Sequence, residues 1–156
     1  MKIDYYEKIF LILGVVLLLS GLGAILVSVV GAGAMVPTPA GRVAPADVRT
    51  TPPFDNPGVR EIEPGKYEAV IIAQIWSFVP NEIQVPAGSE VTFRVTSADV
   101  IHGFFIENTQ VNAMVIPGQI TEVTQKFDEA GEYLLICHEY CGIGHHNMWG
   151  RVVVTE

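Results

Sequence analysis

Cys137 and Cys141 are the only thiols in this chain of 156 residues, and they open a short run that also holds His145 and Met148. A further imidazole, His102, falls on a separate predicted strand. Sulfur donors combined with imidazole nitrogen favour copper, and a weakly bound methionine is the usual companion of a copper electron-transfer site. Zinc also takes two cysteines and two histidines, but it leaves Met148 without a role. A disulfide is chemically allowed outside the cytoplasm, although closing so short a loop constrains the unfolded chain little. A pair of inert buried thiols explains none of the neighbouring donors. A mononuclear blue-copper site needs one cysteine, two histidines and an axial methionine, which strands the second thiol. If instead both sulfurs bridge two ions, each ion can take one histidine, and Met148 and one oxygen donor fill what remains. Such a centre spreads a redox change over two metals, and so favours rapid electron transfer over bond-making chemistry.

These donors need a rigid frame. From about Glu61 onward the chain reads as short β-type runs broken by turn residues: Tyr67–Gln74, Glu90–Thr96, Val100–Ile106, Ile120–Phe127, Glu132–Ile136 and Arg151–Thr155. In Val91-Thr92-Phe93-Arg94-Val95-Thr96 the apolar residues alternate, as in a strand with one face on a core. Pro86-Ala87-Gly88, Pro117-Gly118 and Glu129-Ala130-Gly131 supply the breaks. Several short strands at this spacing predict a sandwich or barrel.

The hydrophobic fraction of 49% is high because the apolar residues are concentrated near the N-terminus. No charged residue occurs from Ile9 to Val36, a stretch that as a helix exceeds the roughly 30 Å of a bilayer core. Ala32-Gly33-Ala34 resembles a signal-peptide cleavage site, but the run is far longer than an ordinary signal h-region of about 7–15 residues. The expectation is therefore an uncleaved anchor in residues 1–36. Seven of the ten prolines lie between Pro37 and Pro64, which predicts an extended linker over 37–60 and a globular domain over 61–156. The net charge of −8 and the lack of a basic stripe argue against nucleic acid as a partner.

The pattern Cys137-x-Glu139-x-Cys141-x-x-x-His145-x-x-Met148, preceded by His102, resembles subunit II of cytochrome c oxidase over nearly the whole chain. The resemblance implies a mainly β, cupredoxin-like Greek-key β-sandwich with one N-terminal transmembrane helix. It also implies an electron-accepting role: cytochrome c, or a small copper protein, delivers electrons to a dinuclear copper A centre, and a haem in the large subunit, subunit I, receives them for oxygen reduction. By position, His102 and His145 are the terminal imidazoles, Cys137 and Cys141 the bridges, Met148 a weak ligand and Glu139 a donor through its backbone carbonyl. The Glu139 side chain corresponds to one that in some members reaches a magnesium ion at the subunit interface.

A single span followed by Pro80-Asn81-Glu82-Ile83-Gln84-Val85-Pro86, Asp99-Val100-Ile101-His102-Gly103-Phe104 and Cys141-Gly142-Ile143-Gly144-His145-His146-Asn147-Met148 resembles the B-type branch of the haem-copper oxidases more narrowly. That branch implies a prokaryotic plasma membrane, a single pass, the copper domain on the outer side, and room for an additional small subunit. It places a glutamate at the cytoplasmic mouth of a proton channel, a position that falls on Glu7; a solvated helix flank is the ordinary alternative. His145 keeps the family spacing, which leaves His146 and His138 as neighbours and not ligands. Trp76 lies in the aromatic patch where many members place a tryptophan that receives the electron, yet ungapped alignment puts that position on Gln74, and a buried core role is the commoner one for tryptophan. Trp149 could pack over the metal loop. Nitrous oxide reductase has a similar loop but adds a large propeller domain, a copper-delivery protein must release its ion, and quinol oxidases typically lose the ligands.

Overall fold

The computed structural model of the chain describes residues 3–31 and 39–156. They divide into two units, the first within Met1–Val36 and the second within Pro37–Glu156.

The first unit is one helix, α1 (Tyr5–Gly31), of 27 residues with none buried. At about 1.5 Å per residue it is about 40 Å long, and it is uncharged from Ile9 onward, which gives it the length and composition to cross a bilayer. Glu7 lies in the first turn, where its Oε2 accepts the N–H of Asp4 at 3.3 Å, a placement the helix dipole favours. The Ala32-Gly33-Ala34 cluster lies outside the described residues.

The second unit contains eleven strands: β1 (Pro39–Gly41), β2 (Gly58–Glu63), β3 (Lys66–Gln74), β4 (Ser77–Val79), β5 (Glu82–Pro86), β6 (Ser89–Ser97), β7 (His102–Ile106), β8 (Asn112–Val115), β9 (Ile120–Phe127), β10 (Gly131–Ile136) and β11 (Trp149–Thr155). One sheet runs β1-β9-β6-β3-β2 with β4 also on β3, and the other runs β5-β11-β10-β7-β8. The pairs β3–β6 and β5–β11 are parallel and the rest antiparallel. The chain crosses between the two sheets at β4–β5, β5–β6, β6–β7, β8–β9 and β9–β10, so the sandwich is of the Greek-key kind expected. Alternation in β6 buries Val91, Phe93 and Val95 between the sheets. There Phe93 meets Phe104 and Phe127 at ring-centroid distances of 5.5 and 6.3 Å, and Phe78 meets Phe104 at 5.8 Å. The apolar areas buried by such rings dominate core energetics.

All six predicted strands are present, with ends shifted by a residue or two. The stretch expected as a linker is different. Over its described residues, 39–60 is part of the folded unit: β1 pairs with β9, a 3-10 turn spans Pro45–Thr50, and β2 pairs with β3. Val43, Val48 and Phe54 are buried against Val70 and Ile72 on the outer face of the first sheet. Proline density predicts poor helix and sheet formation, but it says nothing about docking. The strap is irregular in backbone and still supplies three apolar side chains to a second small core.

Candidate metal centre

Three chain segments converge at one end of the sandwich. Ser97–Ile101 leads into β7 and delivers His102 at its first residue. The β3–β4 turn delivers Trp76, and the long loop between β10 and β11 delivers the two thiols, His145 and Met148. The loop is closed at its base by the Cys137 N–H donating to the Met148 carbonyl at 3.2 Å, and braced inside by the His145 N–H to Gly142 carbonyl bond at 3.0 Å. It must lie close on β7: a Cβ at Gly103 would sit 2.1 Å from His138 Nδ1. Only glycine permits that approach, and it also lets the Gly103 N–H donate to Cys137 Sγ at 3.4 Å.

Within this frame the Sγ atoms of Cys137 and Cys141 are 3.7 Å apart and unbonded. Each sulfur has its own imidazole. His102 Nδ1 is 3.9 Å from Cys137 Sγ, and His145 Nδ1 is 3.5 Å from Cys141 Sγ. Met148 Sδ is 3.6 Å from Cys141 Sγ, and the Glu139 carbonyl oxygen is 3.3 Å from Cys137 Sγ. Cys137, Cys141, His102 and Met148 are buried, which excludes water from these four donors, while His145 is half-exposed. Spacings of this size are those of ligands that share an ion at about 2.0–2.3 Å. The set of two thiols, two imidazoles, a thioether and a carbonyl fits copper by its softness, and the disulfide alternative does not describe these sulfurs.

The electrostatics favour one thiolate before any metal arrives. Burial alone raises Cys137, but hydrogen bonding to His102, the Gly103 N–H and the Glu139 backbone overcomes this and holds the thiol down at about 6. Burial and the neighbouring Cys137 sulfur push Cys141 up to about 11. The pair therefore shares a proton, with the negative charge on Cys137.

Residues 65–155 match the family described as the periplasmic domain of cytochrome c oxidase subunit II. The chain belongs to the cytochrome c oxidase subunit II family. It is 43% identical over 117 residues to cytochrome c oxidase subunit 2 of Thermus thermophilus, covering 74% of this chain and 87% of the relative. Heme-copper oxidase subunit 2 of Aeropyrum pernix is 41% identical over 78 residues, or 49% of this chain and 33% of that protein. Among solved structures, a chain of a heme-copper terminal oxidase dimer determined by cryo-EM superposes with a TM-score of 0.79 at 35% identity, covering 96% of this chain and 99% of that one. The periplasmic domain of subunit II of cytochrome oxidase from Bradyrhizobium japonicum gives 0.54 at 25% identity, over 57% of this chain and 83% of that one. The fold is thus cupredoxin-like, the metal that family and fold imply is copper, and the family is that of the electron-accepting subunit of haem-copper oxidases.

Subunit II membership gives the other predicted residues a context. His146 is exposed and hydrogen-bonds Asn147 at 3.0 Å, while His138 is exposed beside Phe105; neither ring joins the sulfur cluster. Glu7 belongs to α1, in the other unit. Trp149 is exposed. Trp76 is not a core residue: it is 42% exposed, and its indole N–H donates to the Cys141 carbonyl at 3.1 Å. Gln74, where alignment placed the receiving position, instead accepts from Arg49 of the strap and bonds Ser77. Two residues escaped the sequence reading. Asp99 hydrogen-bonds the far nitrogen of His102 at 2.8 Å, and Gly103 admits the loop. For Asp99 the only signal was an acid three residues before a candidate ligand.

Proposed function

We propose that this chain is the electron-accepting subunit of a B-type haem-copper oxidase, taking electrons from cytochrome c or a small copper protein and passing them to a haem in subunit I. Cys137, Cys141, His102, His145, Met148 and the Glu139 carbonyl are the residues that hold a dinuclear copper A centre. The observation that carries this reading is the pair of sulfurs at 3.7 Å, each with its own imidazole. A copper pair bound there supplies a one-electron store whose change in charge is shared by two ions and two sulfurs.

The chain's own residues do the rest. The sandwich fixes His102 at the head of β7 and keeps it sealed from water, so its ring needs no reorganisation of solvent around it. The loop base, tied from Cys137 to Met148, holds the sulfur pair against β7. Trp76 beside the loop and Tyr140 within it lie at the protein surface, within reach of a docking electron carrier. Soft donors and a dry pocket favour outer-sphere electron transfer over binding of a substrate.

With α1 as a single membrane pass, the domain lies on the outer side of a prokaryotic plasma membrane, against subunit I and with an additional small subunit as a further neighbour. The half-exposed Glu139 carboxylate is the group a magnesium ion at that interface takes, and Glu7 stands at the mouth of the proton channel. The decisive experiment is copper titration of the purified full chain with optical and EPR spectra. The expected result is saturation at two equivalents, a purple chromophore and one unpaired electron shared by two coppers. Saturation at one equivalent with a blue spectrum removes the reading.

A further inference from the structure

The two histidines of the sulfur cluster are backed differently. Behind His102, Asp99 Oδ1 lies 2.8 Å from Nε2 while Nδ1 faces Cys137 Sγ. The same carboxylate accepts the N–H of Val100 on Oδ1 at 2.6 Å and the N–H of Ile75 on Oδ2 at 2.7 Å. His102 is fully buried and the Asp99 side chain is 25% exposed. Behind His145 no carboxylate stands among the described residues; its ring is half-exposed and flanked by Tyr140 at 5.8 Å between ring centroids.

We propose that Asp99 is a positioning residue that holds His102 with Nδ1 aimed at Cys137 and makes the His102 side of a bound copper pair the more electron-rich of the two. The proposal rests on the copper reading above and goes beyond it. A carboxylate that accepts a ligand histidine's other N–H fixes its tautomer and ring orientation and raises its basicity. A fixed negative charge next to the centre stabilises the oxidised state, which carries one more positive charge than the reduced state. Because Asp99 also holds Ile75, the residue before Trp76, one side chain sets both the ligand and the turn that braces the loop.

Asparagine cannot reproduce this. Both carboxylate oxygens accept, so the amide NH2 must face either Ile75 N–H or the pair of donors at Val100 and His102. In Asp99→Asn we expect copper affinity to fall by about 10–100-fold. The reduction equilibrium of the copper-loaded full chain should shift toward the reduced form by about tenfold, which is about 59 mV for a one-electron couple. The copper hyperfine pattern should become more even between the two ions. Asp128→Asn, which removes a charge paired with Lys126 on an exposed turn, is the control and should leave all three unchanged. An unaltered midpoint in an Asp99→Asn chain that still binds two coppers overturns the proposal and leaves the copper reading intact; one copper per unmodified chain overturns both. If Asp99→Asn does not hold copper, 15N NMR of the reduced, copper-loaded unmodified chain decides. A slowly exchanging Nε2–H on His102 supports the proposal, and the Nδ1–H tautomer overturns it.

Discussion

The Trp76 indole N–H donates to the carbonyl oxygen of Cys141 at 3.1 Å, so a residue 65 positions away in sequence holds the thiol loop in place. The indole also packs against the loop backbone at two glycines. A Cβ on Gly144 would be 2.3 Å from Trp76 Cδ2, and one on Gly142 would be 3.1 Å from Nε1. The loop geometry therefore depends on a clamp from the β3–β4 turn as well as on its own internal bonds.

Gly144→Ala should displace the indole. Overpacking of this kind costs about 1–3 kcal/mol, and the loosened loop should lose copper faster to a chelator. Trp76→Ala should act in the same direction by removing a hydrogen bond worth about 1 kcal/mol together with the ring contact. Thermal unfolding and the rate of copper loss check both. If Gly144→Ala matches the unmodified chain in the two measurements, the clamp is not what holds the loop.

Met148→Leu separates ligation from packing. Met148 is fully buried, and a swap of similar volume usually costs under about 1.5 kcal/mol, so the fold should survive. Copper content should hold while the reduction potential moves, because the thioether 3.6 Å from Cys141 Sγ is lost. Voltammetry reads this directly, and an unmoved potential would remove Met148 from the ligand set.

The metal-free chain should show its thiol pair in the pH dependence of stability. Cys137, held at about 6 in the folded chain against roughly 8.5 when unfolded, contributes stability that is complete above roughly 8.5 and fades as pH falls toward 6. Cys141, at about 11 when folded, behaves oppositely: stability is lost as pH rises from roughly 8.5 toward 11. Urea midpoints should therefore climb between pH 6 and 8.5 and decline above, and Cys137→Ser should flatten the rising limb. A limb that persists in that variant would assign it to other groups.

The strap over the first sheet is a stability element. Phe54 is 1% exposed, and removing a buried phenyl costs about 3–5 kcal/mol, so Phe54→Ala should lower the melting temperature steeply without altering the copper spectrum. A fragment starting at residue 65 should be less stable than one starting at 37, since it bares Val70 and Ile72. Equal stability of the two fragments would show that the strap contributes nothing.

The loop from Cys137 to Met148 was legible because ligand chemistry constrains residue type: few roles need two thiols, an imidazole and a thioether so close together. Longer alternating or β-branched runs made strands such as β6 and β9 legible, while β2 and β5, of six and five residues, were not read as strands although β5 alternates buried and exposed side chains. The short strands β1, β4 and β8 carry too few residues for a period to show. The strap was misread because proline content reports backbone preference, while docking depends on whether a sheet face lies waiting. The unbroken apolar run Ala69–Ala73, buried on both faces, was the signal for it.

By itself the sequence determined an N-terminal run long and apolar enough to cross a bilayer, the β class and the close grouping of two thiols, an imidazole and a thioether, all of which follow from local composition and spacing; the Glu139 carbonyl was read only through the family resemblance. Tertiary structure alone decided which histidine faces which sulfur, that Asp99 stands behind His102, and that Trp76 rather than Gln74 meets the loop. Those relations join residues up to 65 positions apart, and their distances are set by how two sheets and a strap pack, a sum of many weak contacts that no local pattern records.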